Sequence, residues 1–566
     1  MIKSRIKRLR NCFRNFGIDG YVVPKNDEFF SEYSKIDRLK LISNFSGSAG
    51  FAIILKKRNY LFVDGRYTIQ AHLESGKNFQ VKDYSKIFDC SLFKDLTLGI
   101  DPKLFTSDQL KKKFSKYNHF KKIELNLIDQ FSKNNFKNNK PFFSLTKNIV
   151  GVDYKKKLKK VINYLNKNKL DYIFITAPEN VAWLMNIRGY DIPTSPIPNC
   201  HLILTKKKDI FLITEKKKAI KIIKEKKFNE KQIVEPNKLK KILDSFKKGK
   251  ILIDQKTCSL FYENLLSNRF KIIKKEDPIY LFKSIKNKTE IKNMIKSHII
   301  DGVALTKFLY WIKKINKKKI TEFDAQNKLD KFRKLNKKYL FPSFNTIAGS
   351  GKNGAIIHYR ATKKNSKMIN KKDIFLCDSG GQYKYGTTDV TRTICFTRPK
   401  TYIKNVFTKI LKGHIAVARA NINYLTKGNL IDSQARKFLR SINLDYQHGT
   451  GHGVGFFSNV HEGPLSLSKR DKGEIHEGMV LSNEPGFYKK GKFGIRIENL
   501  VYVKKQKKKI FFENLTLAPI EKDLIDFKQL SLEEKNYLFE YHLNVYSKLS
   551  KYLNQNEKKW LASFIY

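Results

Sequence analysis

Four histidines, His358, His448, His452 and His461, share one stretch of this 566-residue chain with acidic residues embedded in strand-like sequence. The acids are Asp378 in FLCDSGG, Asp389 in GTTDVTRT, Glu484 in LSNEPGF and Glu498 in GIRIENL. A carboxylate placed inside an apolar strand is costly unless a cation or metal compensates it. Four carboxylates and one imidazole make a hard, oxygen-rich donor set, which suits Mn²⁺, Co²⁺ or Zn²⁺ in a two-metal site better than a tetrahedral structural zinc. Two divalent ions balance four carboxylates, and such a pair can bridge a hydroxide that attacks a carbonyl, so the implied chemistry is hydrolysis.

Local spacing supports this. In GIRIENLVYV a period of two puts Arg496 and Glu498 on one face, so the cation is expected to orient that carboxylate. The glycines of HGTGHGVG argue against a helix and let the backbone approach a ligand, placing His448 and His452 in a loop or strand. Two other motifs fail. His461-Glu462 opens like H-E-x-x-H, but Leu465 stands where the second histidine belongs and Pro464 precedes it. GSGKNG around Lys352 lacks the first glycine and the Ser or Thr of a phosphate loop.

The elements that must position these residues read as a series of α/β segments. Apolar residues at helical spacing in the first sixteen positions (Ile2, Ile6, Leu9, Phe13, Phe16) give a helix, followed by the strand-like runs GYVVP, FAIIL and YLFVD. A polar run, NNFKNNKP, marks a boundary near residue 140, and a second cycle of helix and strands (DYIFITAP, HLILT, DIFLIT, ILID) follows in the same order. Asn287 and Glu290 then form a capping-box-like start to a helix whose apolar face is Ile291, Met294, Ile295, Ile299, Val303 and Leu309. From Phe341 the chain is richer in Gly, Thr and His. The last fifty residues read as helices with Trp560 as an anchor.

Composition bounds the reading. Lys+Arg number 114 against 52 Asp+Glu, a formal net charge of +62, yet the excess is mostly Lys spread over every segment. A polyanion site should be local, so the charge is read as composition. With 41% hydrophobic and 13% aromatic residues, 14 Pro and 29 Gly, the chain is globular. Its six cysteines, Cys12, Cys90, Cys200, Cys258, Cys377 and Cys395, form no CxxC pair or framework. No window approaches the ~20 apolar residues of a membrane span, and a cytoplasmic location is expected.

Taken together, IIHYR with His358, DSGGQY, GTTDVTRT, HGTGHGVG, VHEGP, SNEPGFY and GIRIEN resemble, in order, the site motifs of the pita-bread metallopeptidases of family M24, and among them the Xaa-Pro aminopeptidases (aminopeptidase P). The similarity runs along nearly the whole chain: SEY, FSGSAG and DGRY (Asp64 to Tyr67), then AWLMNIRG, then the region around Trp560. It implies two creatinase-like N-terminal α/β domains (1–140 and 141–282), an α+β pita-bread catalytic domain (283–510) and a helical C-terminal extension (511–566), the long cytosolic arrangement.

By the resemblance, Asp378, Asp389, His452, Glu484 and Glu498 are metal ligands, with Asp389 and Glu498 bridging two divalent ions, Mn²⁺ first and Zn²⁺ or Co²⁺ as alternatives. The bridging hydroxide attacks the carbonyl before a penultimate proline, with Glu484 as proton shuttle. His358, His461 and Glu484 are then catalytic. Arg66, His358, His448, His461 and Arg496 face the substrate, Arg66 in a neighbouring subunit of an expected homodimer, while Arg496 orients Glu498. Arg360, in HYR, departs from the small residue common before proline in this family. His72, His119, His201, His298, His414, His476 and His542 lack such motif context and read as structural or surface residues.

Two other activities compete. A prolidase uses the same ligands on Xaa-Pro dipeptides but typically has one N-terminal domain, and a methionine aminopeptidase lacks those domains. From a different class, a metal-free pita-bread protein binding RNA or protein has no need of all five ligands.

Overall fold

The computed structural model describes residues 1–34, 36–88, 93–114, 119–132, 140–314 and 319–565. Cys90 and most of the expected boundary run before residue 140 lie outside the described residues. The chain forms two compact units, Met1–Tyr280 and Leu281–Tyr566.

The first unit holds two six-stranded sheets. In the first, β1 (Gly20–Pro24), β2 (Phe51–Leu55), β3 (Asn59–Val63), β4 (Gln80–Asp83), β5 (Thr97–Ile100) and β6 (His119–Lys122) lie in the order β4-β3-β2-β1-β5-β6. Alternate residues point to opposite faces, and both faces are apolar: Tyr21, Val23, Ala52, Ile54, Leu61 and Val63 meet Leu9 and Phe13 of the first helix, Ile2–Asn15. Val22, Phe51, Ile53, Tyr60, Phe62 and Leu98 pack on the other side. A strand buried on both faces reads as a continuous apolar run, as GYVVP does. The second sheet repeats the plan. Its Tyr172–Ile175 strand pairs antiparallel with His201–Thr205 and parallel with Lys250–Ile253, just as β1 pairs antiparallel with β2 and parallel with β5.

The longest helix of the second unit among the described residues is the 27-residue Lys288–Lys314. Its start is the expected reciprocal pair: Asn287 N donates to Glu290 Oε2 at 3.0 Å and Glu290 N to Asn287 Oδ1 at 3.1 Å. Met294, Leu305, Phe308, Leu309 and Ile312 of this helix are buried, whereas Ile295, expected on the apolar face, is 37% exposed. The helix packs on Phe375, Cys377 and Val390 of a three-stranded antiparallel sheet (Ile347–Ser350, Phe375–Ser379, Val390–Ile394). A five-stranded antiparallel sheet orders Glu462–Leu467, Gly451–Gly453, Val480–Asn483, Asn499–Gln506 and Lys509–Asn514. Gly451 permits the close approach here, since a Cβ at that position would lie 1.9 Å from Ser482 O.

GIRIENLVYV is not one strand. It ends one hairpin strand at Arg496 and starts another, in the five-stranded sheet, at Asn499, so Ile497 and Glu498 form the crossing between sheets. The C-terminal helix Leu532–Leu549 shares a core with helix Thr401–Ala418 and this crossing through Leu538, Val545, Leu549, Phe407, Ile410, Ile495 and Ile497. Cys377 and Cys395 are small core residues, 2% and 3% exposed.

Candidate metal centre

The three-stranded sheet of Ile347–Ser350, Phe375–Ser379 and Val390–Ile394 and the five-stranded sheet bring the acidic residues together. Asp378 lies on the Phe375–Ser379 strand, Asp389 precedes Val390–Ile394, His452 is on Gly451–Gly453, Glu484 follows Val480–Asn483, and Glu498 is the crossing residue. One donor atom each from Asp389, His452 and Glu498 lie within 4.8 Å of one another. His452 Nε2 is 3.6 Å from Asp389 Oδ2 and 3.4 Å from Glu484 Oε1. Its Nδ1 faces Gly453 O at 2.9 Å. A proton on Nδ1 donated to that carbonyl leaves the Nε2 lone pair aimed at the carboxylates, the arrangement that suits a metal ligand.

Arg496 departs from expectation. Its guanidinium donates to Asp378 Oδ2 (2.5 Å), Thr391 Oγ1 (3.0 Å) and Tyr488 OH (2.5 Å). Glu498 is instead held by Thr391, whose hydroxyl donates to Glu498 Oε2 at 2.7 Å. The chain's change of sheet after Arg496 separates the two side chains, so Arg496 reaches Glu498 through Thr391. At 2% exposure it is a buried scaffold cation rather than a substrate-facing one. Thr391 and Tyr488 went unread in the sequence. For Thr391 a signal existed, since in DVTRT a period of two places Asp389, Thr391 and Thr393 on one face.

Burial and mutual repulsion dominate the electrostatics. Desolvation, then Glu498, Asp378 and Glu484, raises Asp389 well above the usual carboxylate range against the pull of Arg496. Glu498 is raised likewise by burial and by Glu484 and Asp378. Glu484 rises to about 7, mainly by burial and, in part, by Asp378, with Arg496 and His461 opposing. Asp378 Oδ1 is buried without a hydrogen-bond partner. Such a cluster is costly without added cations, and its donors, an imidazole nitrogen with carboxylates from several strands, fit two divalent ions.

Behind the carboxylates lies a buried polar layer. Arg392 donates to Glu498 O (2.7 Å), Thr391 O, Asn499 Oδ1, Pro519 O, Ala518 O and Tyr541 OH, fixing the backbone at Glu498 from the C-terminal region. His414 Nδ1 meets Asn483 O at 3.1 Å while Asn483 Nδ2 donates to His414 O at 2.9 Å, which pins the residue before Glu484. His414 is thus a structural histidine with a defined task. Glu462, beside His461, pairs in the interior with Lys283 (3.2 Å) and with Lys286.

The other expected residues are placed as follows. His461 is exposed, and its ring centroid lies 4.4 Å from that of His452. His448 Nδ1 is 3.9 Å from Glu484 Oε2, and its Nε2 contacts Tyr488 OH at 2.9 Å. His358 is half-buried just past the turn Gly351–Ala355, which packs on the Phe493–Arg496 strand through the close approach of Gly354 and Gly494. Arg66 belongs to the first unit, where it forks onto Asp64 (3.0 and 2.7 Å). Arg360 is exposed.

Family models match in chain order: the creatinase/prolidase N-terminal domain at 5–129 and, in a second form, at 133–290, metallopeptidase family M24 at 292–505, and the C-terminal region of peptidase M24 at 509–563. A probable Xaa-Pro aminopeptidase P from Laccaria bicolor is 34% identical over 594 residues, covering 99% of this chain and 92% of that protein. The crystal structure of X-prolyl aminopeptidase from Caenorhabditis elegans, described as a cytosolic enzyme with a di-nuclear active site, superposes with a TM-score of 0.92 at 30% identity, covering 100% of this chain and 99% of that one. The prolidase from Pyrococcus horikoshii reaches a TM-score of 0.53 at 25% identity and covers 65% of this chain and 99% of its own. The full-length sequence match, the matched order of domains and the buried carboxylate–imidazole cluster converge: the chain belongs to metallopeptidase family M24, in its Xaa-Pro aminopeptidase P branch.

Proposed function

We propose that the protein is a metal-dependent aminopeptidase that hydrolyses the bond between an N-terminal residue and a penultimate proline. The observation that carries this reading is the cluster of Asp389, His452 and Glu498 donors, with Glu484 against His452, in a chain similar to aminopeptidase P along its whole length. The prolidase alternative is disfavoured because the P. horikoshii enzyme covers only 65% of the chain.

Asp378, Asp389, His452, Glu484 and Glu498 would hold two divalent ions, Mn²⁺ by preference. When bound, such a pair supplies Lewis acidity and an activated water. Glu484, with Oε1 3.4 Å from His452 Nε2, is placed to take a proton and return it to the leaving proline nitrogen. His461, exposed beside His452, offers a donor to the scissile carbonyl oxygen, and His358 and His448 flank the substrate. Arg496 and Thr391 keep Asp378 and Glu498 in place. Creatinase-like domains at 1–140 and 141–282, a pita-bread domain at 283–510 and an extension at 511–566 describe the chain, with Arg66 serving the substrate across a homodimer in the cytoplasm. Among the described residues no helix is long and apolar enough to cross a membrane.

Purified protein with Mn²⁺ is expected to release the first residue of an Arg-Pro-Pro tripeptide, and Glu484→Gln to abolish this without unfolding the chain. Release of proline from Xaa-Pro dipeptides with no turnover of Xaa-Pro tripeptides under any divalent metal would establish a prolidase instead.

A further inference from the structure

The first unit contains a cavity that the chemistry of the second does not use. In an open α/β sheet, ligands bind outside the carboxyl ends of strands where the strand order reverses direction. In the first sheet that point lies between β1 and β5, because β2, β3 and β4 run off to one side of β1 and β5 and β6 to the other. In the second sheet the same point lies between Tyr172–Ile175 and Lys250–Ile253. Thr176 and Thr257, just beyond those two strands, are joined by their hydroxyls at 2.8 Å.

The first switch point opens onto a space that the loop after Lys250–Ile253, at the second switch point, borders through Lys256 and Thr257. A cavity of about 350 Å³ is lined by Lys25 and Asn26 after β1, by Phe105 and Gln109 after β5, and by Lys256 and Thr257 from the second sheet. Its volume is within the ~300–1,000 Å³ of small-molecule sites. One wall residue is tied to the second sheet's helix: Leu260 N donates to Phe105 O at 2.7 Å.

The lining selects a ligand class. Glu32, which accepts from Ser48 Oγ at 3.0 Å, gives the cavity an anionic wall, and Lys25 and Lys256 give it cationic ones. Phe51, Tyr84 and Phe105 supply apolar and π surface. Each lysine faces a carboxylate, Asp37 for Lys25 and Glu276 for Lys256, which disfavours a phosphate dianion, while the Lys256 ammonium, with three N–H groups and one bond to Glu276, can still donate to a single ligand carboxylate. A ligand with an ammonium, a carboxylate and an apolar group between them meets all three kinds of wall. We propose that this double switch-point cavity binds a zwitterionic α-amino acid or short peptide bearing an apolar side chain, separately from the metal centre.

The test is calorimetric titration of the full chain in chelator with L-phenylalanine, the dipeptide Phe-Ala, L-phenylalaninamide and N-acetyl-L-phenylalanine. Either zwitterion should bind with a Kd of about a millimolar or below. The tighter of the two identifies whether the site takes free amino acids or peptides. Removing one charge from the ligand should weaken binding about tenfold or more, as should Glu32→Gln and Lys256→Met, which leave ligand-free unfolding temperatures nearly unchanged. No binding of either zwitterion in the tens of millimolar, equal binding of the amide or N-acetyl compound, or binding unaffected by both substitutions would overturn the proposal.

Discussion

Thr391→Val isolates the contact that replaced the expected one. The threonine hydroxyl donates to Glu498 Oε2 at 2.7 Å and accepts from Arg496 Nε at 3.0 Å, so one atom links the buried cation to the crossing carboxylate. Valine keeps the β-branched shape on the strand and removes only that link. A hydrogen bond to a charged group is worth about 1.5–3 kcal/mol, and an orphaned buried partner costs about 1–3 kcal/mol. Loss of a partner that orients a metal ligand typically weakens metal affinity about 10–100-fold, or about 1.4–2.7 kcal/mol. The expected outcome is a fall of that size in Mn²⁺ or Co²⁺ affinity, measured by competition with a chromophoric chelator, together with reduced turnover; Thr391→Ser should recover most of both. Metal affinity unchanged within about twofold, with a lowered unfolding temperature in chelator, would show that Thr391 serves packing alone and that Glu498 is oriented by something else.

Two pH dependences follow from buried acids. Asp389 and Glu498 are raised well above the usual range and Glu484 to about 7, so the metal-free site holds protons near neutrality and metal binding must displace them. Calorimetric titration with Mn²⁺ at pH 7 in buffers of different ionisation heat should show release of about one proton or more, and affinity rising with pH; absence of release would contradict the assignment. In the first unit, burial raises Asp27 to about 6, opposed by hydrogen bonds from the backbone N–H groups of Ser31 and Phe29. The folded state then binds this proton more tightly than the unfolded chain, so stability present at low pH is lost as pH rises from about 4 to about 6, by ~2–3 kcal/mol. Asp27→Asn, whose side-chain oxygen can accept the same bonds, should flatten that part of the stability profile in urea unfolding.

How much of this was legible depended on the range over which each signal acts. An acid set in or against an apolar run is a local anomaly, which is why Asp378, Asp389, Glu484 and Glu498 could be picked out, although only Asp378 lies within a strand and the other three sit at strand ends or between strands. The repeated strand order of the first unit was visible for the same reason. The pairing of Arg496 with Glu498 failed because a period of two holds only while the strand continues, and this one changes sheet at Ile497. Thr391 was readable from the alternation in DVTRT. Arg392 and Tyr541 were not, since their contact spans a sequence separation of 149 and neither residue stands out from its neighbours. His414 read only as a structural or surface residue; it is fully buried, and tertiary packing alone shows that the carbonyl it meets adjoins Glu484.

That long-range layer changes the status of the C-terminal extension. Arg392 is 1% exposed, and every acceptor it meets is neutral, so its charge is neither solvated nor paired with a carboxylate. Burial lowers its pKa, opposed first by Tyr541 and then by the field of Glu498. A guanidinium is tolerable in such a place only when its N–H groups are all used and an anion lies near. Pro519 O, Ala518 O and Tyr541 OH supply half of its acceptors. Tyr541 is fixed in turn, its hydroxyl 2.8 Å from Ala518 O and its helix seated against the crossing at Ile497. Without the extension, Arg392 would keep its charge but lose half its acceptors, and the backbone carbonyl of Glu498 would be held by a guanidinium anchored only to Thr391 O, Asn499 Oδ1 and Glu498 O itself. The helices that read as a packing appendage therefore belong to the support of the metal centre, and the carboxylate cluster, the buried cation and the C-terminal region form one cooperative structure.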